Sequence, residues 1–128
     1  YFDNLETEML WNFKANYGVD WSRRLNFIKE SLHVCDDFIS LGRRSHKAEG
    51  YYYFSPDVEI EFINDNQWAL SYNDIKLKLI IEGADSVACE ETVFYPSYGK
   101  SRLSHRLCWK SKFKQSMQIK LIINHSLN

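Results

Sequence analysis

The sequence predicts an α+β domain, with two N-terminal helices packed on one face of a mostly antiparallel sheet of about six strands. Three observations carry that expectation. Apolar residues in the first forty positions recur every three or four residues. After position 50 they recur every second residue. A polar stretch bounded by Gly42 and Gly50 separates the two regimes. The 128 residues suit one domain, 1–128, helical over residues 1–42 and sheet over residues 50–125.

The first helix is expected from Asp3-Asn4-Leu5-Glu6, which has the form of a capping box. Leu5, Met9 and Phe13 continue it as a stripe, and Gly18 ends it. Asp20 caps the second. Trp21, Leu25, Ile28, Leu32, Cys35 and Ile39 then alternate spacings of four and three, which predicts about twenty helical residues ending at Gly42. Arg43 and Arg44 follow, where cations favour a helix C-terminus.

Strands follow. Tyr51-Tyr52-Tyr53-Phe54 is strand-like and stops at Pro56. Val58, Ile60 and Phe62, then Trp68, Leu70 and Tyr72, then Ile75, Leu77, Leu79 and Ile81 alternate with polar residues. Short Asn/Asp turns at 64–67 and 73–74 join them into a meander. Residues 86–95 form a weaker strand because Glu90-Glu91 disturbs its alternation, and 96–99 a loop. From Leu103 the odd positions are mostly apolar and the even ones mostly basic. With Gln115-Ser116 as a turn and Met117, Ile119, Leu121 and Ile123 returning, this predicts a C-terminal hairpin with a cationic outer face.

Composition narrows the function. Residues 1–64 hold seven basic and eleven acidic side chains, net −4; residues 65–128 hold nine and six, net +3. No acid follows Glu91, while seven cations do. No apolar run is long enough to span a bilayer, and no secretory leader pattern is present. Cys35, Cys89 and Cys108 are odd in number and widely spaced, which points to buried free thiols in a reducing, cytoplasmic setting. No metal-ligand spacing and no cofactor motif occurs, so none of either is expected.

The candidate binding residues are Arg102, Arg106, Lys110, Lys112, Lys114 and Lys120, with Tyr98 beside them. The weaker catalytic candidates are His46, in the loop Arg43-Arg44-Ser45-His46-Lys47, and His105. Without a catalytic signature, the favoured expectation is a non-enzymatic module that docks on a protein partner, in the manner of an immunity protein or antitoxin. One alternative is a nucleic-acid-binding domain using the cationic hairpin face. Another is a small metal-independent ribonuclease.

Overall fold

The computed structural model describes residues 7–15, 18–42 and 44–125. Among them there is no helix. Ten antiparallel strands build two sheets: β1 (Thr7–Ala15), β2 (Val19–Ile28), β3 (Ser31–Ser40), β4 (His46–Tyr53), β5 (Glu59–Asn64), β6 (Gln67–Tyr72), β7 (Ile75–Glu82), β8 (Ser86–Ser97), β9 (Lys100–Phe113) and β10 (Ser116–His125). The large sheet has the order β1-β2-β3-β10-β7-β6-β5, the small one β4-β9-β8. Apolar faces of the two sheets meet in a sandwich.

The α+β expectation is therefore overturned over 1–42, where β1, β2 and β3 replace both helices. The first capping box, Asp3 to Glu6, lies outside the described residues. The second stripe misleads because two strands and a tight turn imitate a 3.6-residue period. Lys29 and Glu30 both have positive φ, 48° and 67°. They make a two-residue turn whose twist suits a hairpin, and β2 pairs with β3 from Ile28↔Ser31 to Val19↔Ser40. Crossing that turn switches the inward parity. Leu25 of β2, with Leu32, Val34 and Phe38 of β3, packs on the core. Ile28 and Cys35 instead line a depression with Lys120 on the outer side, and Ile39 is exposed. The stripe thus mixes both faces of one hairpin. Asp36 is fully buried, and Arg23 donates to it from Nε and Nη2 at 2.7 and 2.9 Å while Trp21 Nε1 donates at 3.2 Å. An ion pair on the inward side removed the alternation that announces a strand.

The meander β5-β6-β7 is present, with turns at the anticipated Asn/Asp positions. β6 separates Glu59 and Glu61 from Lys76 and Lys78, so those charges do not face each other across neighbouring strands. The C-terminal hairpin is not formed. β9 lies in the small sheet and β10 between β3 and β7 in the large one, so the chain changes sheets at Lys114-Gln115. The expected loop 42–50 also shortens, because β4 starts at His46.

The core runs along both inner faces: Val34, Trp68, Leu70, Leu79, Ile81, Leu107, Trp109, Ile119 and Leu121. Fully burying each such side chain contributes roughly 1.5–3 kcal/mol. Trp109 lies directly opposite Gly50, and its indole occupies the space that a side chain at 50 would need. Gly83, with φ +95°, lets β7 turn away towards β8 against the backbone of Gln118. Of the three free cysteines, Cys35 and Cys108 are buried but Cys89 is exposed, which corrects the expectation of three buried thiols.

Candidate binding surface

The small sheet turns its outer face to solvent, and β9 runs along its centre. On that face β4 contributes Lys47, Glu49, Tyr51 and Tyr53. Their partners across the ladder are Lys112, Lys110, Cys108 and Arg106. On the other side of β9, Ser86 pairs with Lys110, Glu90 with Arg106 and Phe94 with Arg102. The sheet therefore carries three chemically different regions along one strand.

The middle is neutralised. The Arg106 guanidinium lies 4.3 Å from the ring centre of Tyr51 and 5.8 Å from that of Tyr53. Its Nε donates to Glu90 Oε1 at 2.8 Å and its Nη1 to the Tyr53 hydroxyl at 3.2 Å. Tyr53 and then Glu90 hold its pKa above the ordinary value. The Tyr51 hydroxyl donates to Glu49 Oε2 at 2.7 Å, and this bond is the main reason its pKa is pushed up to about 12. Cys108 is buried on this face. Desolvation, then Glu90, raises its thiol pKa, as it does for Cys89. Neither thiol has the depressed pKa of a nucleophile.

One end is an overhang. β4 stops at Tyr53, opposite Arg106, while β8 and β9 continue as a two-stranded arm with Val93 facing Leu103. The segment after β4 clamps the arm's root. Ser104 Oγ donates to the Phe54 carbonyl, Phe54 N–H donates to the His105 carbonyl at 3.1 Å, and Arg102 pairs with Asp57 at 3.0 Å. Beyond it Val93, Tyr95, Leu103 and Tyr98 are 45, 70, 70 and 105 % exposed. Leu107, on the same side of β9, is completely buried, so the sandwich interior gives out within two pairs of the arm.

The opposite end is cationic. Lys47 and Lys112 face each other directly, with Lys110 one pair away on the same side. Lys110 Nζ is 3.8 Å from Glu49 Oε1, a long ion pair between exposed groups. Lys112 N–H donates to Asp85 Oδ2 at 2.9 Å. These residues and Ser86 line a shallow depression of about 260 Å³. Lys114 is exposed beyond it.

The anticipated binding residues thus separate. Lys110, Lys112 and Lys114 share one end; Arg106 is sequestered; Arg102 and Tyr98 belong to the arm. Lys120 lies on the other sheet, between Cys35 and Glu82. Lys47, Glu49, Asp85 and Ser86 were not anticipated as partners of Lys110 and Lys112. The alternation Lys47, Glu49, Tyr51, Tyr53 against Ala48, Gly50, Tyr52, Phe54 was the available signal.

The catalytic candidates also separate. His46 stacks on Phe113 at 5.1 Å, with Nε2 2.9 Å from Ser40 Oγ. His105 is exposed near the root of the arm. Phe113 and His105 stand eight positions apart on β9, roughly 26 Å of strand. Arg43 lies outside the described residues. Burial, then Asp36, raises the phenol pKa of Tyr52 beside Arg23 and Asp36, which disfavours a role as base. Among the described residues no three His, Cys, Asp or Glu converge on a common metal position. No described helix is long and apolar enough to cross a membrane.

No family model and no curated protein sequence matches the chain. Solved structures do share its fold. A heparinase III gene product superposes with a TM-score of 0.78 at 14 % identity, over 94 % of this chain and 20 % of that one. Its form with methylated lysines gives 0.80 at 14 %, over 96 and 20 %. A mutant of the heparan sulfate lyase HepC from Pedobacter heparinus gives 0.78 at 17 %, over 98 and 21 %. The chain therefore spans about a fifth of these proteins, and at such identity the likeness is one of fold.

Proposed function

We propose that this chain is a non-catalytic β-sandwich module that docks on a protein partner through the β8–β9 arm. The partner on this reading is the catalytic portion of a protein acting on an acidic polysaccharide, like the heparan sulfate lyase of which about a fifth shares this fold. The observation that carries the proposal is the overhang, where Val93, Tyr95 and Leu103 stand exposed on strands that have lost their third neighbour. A two-stranded ribbon is marginal in water by itself, and clustered exposed apolar side chains mark contact surfaces. Aromatic and aliphatic anchors at the tip with Lys100 and Arg102 at the rim match the usual anatomy of an interface. The separation of His46 from His105 favours binding over catalysis.

The test combines two readings. The isolated chain is incubated with heparan sulfate and the unsaturated product followed by its ultraviolet absorbance; no product is expected. A heparan sulfate lyase chain lacking the matching fifth is then titrated with this chain in sedimentation velocity. A complex lost in Leu103→Asp, with the thermal midpoint unchanged, supports docking through the arm. Turnover by the isolated chain, or a complex indifferent to Leu103→Asp, overturns the proposal.

A further inference from the structure

We propose that the cationic end of the small sheet binds a sulfate or carboxylate group of an acidic saccharide, held by Lys47, Lys110 and Lys112. This rests on the preceding reading only for the class of polymer; the site itself is argued from its own geometry.

Lys47 and Lys112 are direct neighbours across the β4–β9 ladder. Like charges placed so cost stability, by a few tenths to about 1 kcal/mol. An anion between the two ammonium groups would turn that repulsion into attraction. Neither has an ion-pair partner among the described residues, and the carboxylate nearest Lys110 sits at the outer limit of an ion pair. The two arginines of the face are matched: Arg106 by Glu90, Arg102 by Asp57. Among the described residues Lys100 stands alone at the arm, whereas Lys47, Lys110 and Lys112 gather at the other end, and that end is concave.

The depression has a size and a rim that narrow the ligand. About 260 Å³ lies just under the range usual for small-molecule sites, so one sugar unit enters rather than an oligomer. Glu49 and Asp85 stand beside the lysines. Continuous phosphodiester would meet them as repulsion, because a nucleic-acid backbone offers few donors. A saccharide offers hydroxyl donors between its anionic groups. Glu49 and Asp85 accept from those hydroxyls while the lysines hold the sulfate or carboxylate. The rim therefore selects widely spaced charges on a hydroxylated chain. The site lies some nine residues along β9 from Leu103, roughly 30 Å, so saccharide and docked partner do not compete.

The test is binding of a fluorescent heparan sulfate hexasaccharide to the 128-residue chain across a salt series. The comparisons are Lys47→Ser/Lys112→Ser, Lys120→Ser on the opposite sheet, the desulfated hexasaccharide, and a single-stranded oligonucleotide. The double variant should bind about tenfold more weakly, with a shallower salt dependence. Its thermal midpoint should equal or exceed that of the parent, since a repulsion has been removed. Lys120→Ser should bind as the parent does, and the desulfated sugar and the oligonucleotide more weakly than the sulfated one. No binding by the parent at low salt, equal loss in Lys120→Ser, or tighter binding of the oligonucleotide each overturns the site. Leu103→Asp serves as the separating arm. Saccharide binding that survives it while the lyase complex is lost upholds both proposals. Saccharide binding with no lyase complex in the parent sinks the docking reading alone.

Discussion

Gly50→Ala tests the packing that fixes the small sheet on the large one. Gly50 lies on β4 opposite Trp109, and a Cβ there would fall within 2.5 Å of Trp109 Nε1, Cε2 and Cζ2. Ordinary carbon contacts are about 3.5 Å, so the indole must withdraw by roughly 1 Å or more. It has little freedom to do so. Trp109 is 3 % exposed and meets the Phe38 ring edge-on at 5.7 Å, and Phe38 in turn stacks on Trp21 and touches Phe113. Displacement passes from one sheet to the other through this aromatic chain. Overpacking of a filled core costs about 1–3 kcal/mol, and the rigidity here argues for the upper end, about 3 kcal/mol. For a chain of this length that lowers the thermal midpoint by roughly 10 °C. The assay is urea unfolding followed by tryptophan fluorescence, with Gly42→Ala as control because nothing among the described residues lies within 4 Å of its added carbon. Gly42→Ala should change stability by less than about 0.5 kcal/mol. The same Gly50→Ala change in a Trp109→Leu background should cost clearly less, with a coupling above about 1 kcal/mol. Equal costs at Gly42 and Gly50, or no coupling to Trp109, would refute the reasoning.

Two further outcomes follow from buried polar groups. Asp36→Asn leaves Arg23 without a counter-charge and weakens a bidentate contact. The expected loss is about 2–3 kcal/mol in urea unfolding, below the full penalty for a buried pair because Arg23 is 33 % exposed. Tyr52→Phe removes a buried hydroxyl that makes no hydrogen bond of ordinary geometry, although the Trp109 indole is beside it, so at pH 7 the variant should be as stable as the parent or up to about 1 kcal/mol more stable. The phenol's folded pKa is raised by burial. Ionisation of this group therefore leaves the parent's stability unchanged below the unfolded value near pH 10 and lowers it as pH climbs beyond that value. Unfolding between pH 9 and about 11.5 should show the parent losing stability faster than the variant; parallel curves would contradict that assignment.

Period-2 patterning made the β5-β6-β7 meander legible, because each strand keeps apolar residues on one face and its turns use Asn and Asp. The N-terminal third was not legible for a specific reason. β2 places Arg23, and β3 places Asp36, on the side that packs inward. Each strand alone then lacks a clean alternation, and only the pair explains both residues. The tight turn is also built from Lys29 and Glu30 rather than Asn-Gly, so no turn signal marks the place where the parity changes. A charged residue of each sign, about a dozen positions apart across such a stretch, is the trace that remains of an inward ion pair in a hairpin.

The cationic face shows how far a correct period can mislead about surroundings. Alternation along β9 does place Arg106, Lys110 and Lys112 on one side. What each charge experiences is decided by neighbours distant in sequence. Glu90 from β8 and Tyr53 from β4 absorb Arg106, whereas Lys47 from β4 adds a like charge to Lys112. The sheet change at Lys114-Gln115 sends Lys120 to the far side of the sandwich, although it is only eight positions from Lys112 in the chain. Strand pairing thus sorts one basic run into a neutralised middle, an apolar arm with a basic rim, and a terminus where Lys47, Lys110 and Lys112 outnumber Glu49 and Asp85. That terminus lies at the opposite end of β9 from the arm, so on the two proposals above a docked partner and a saccharide would not compete for one site.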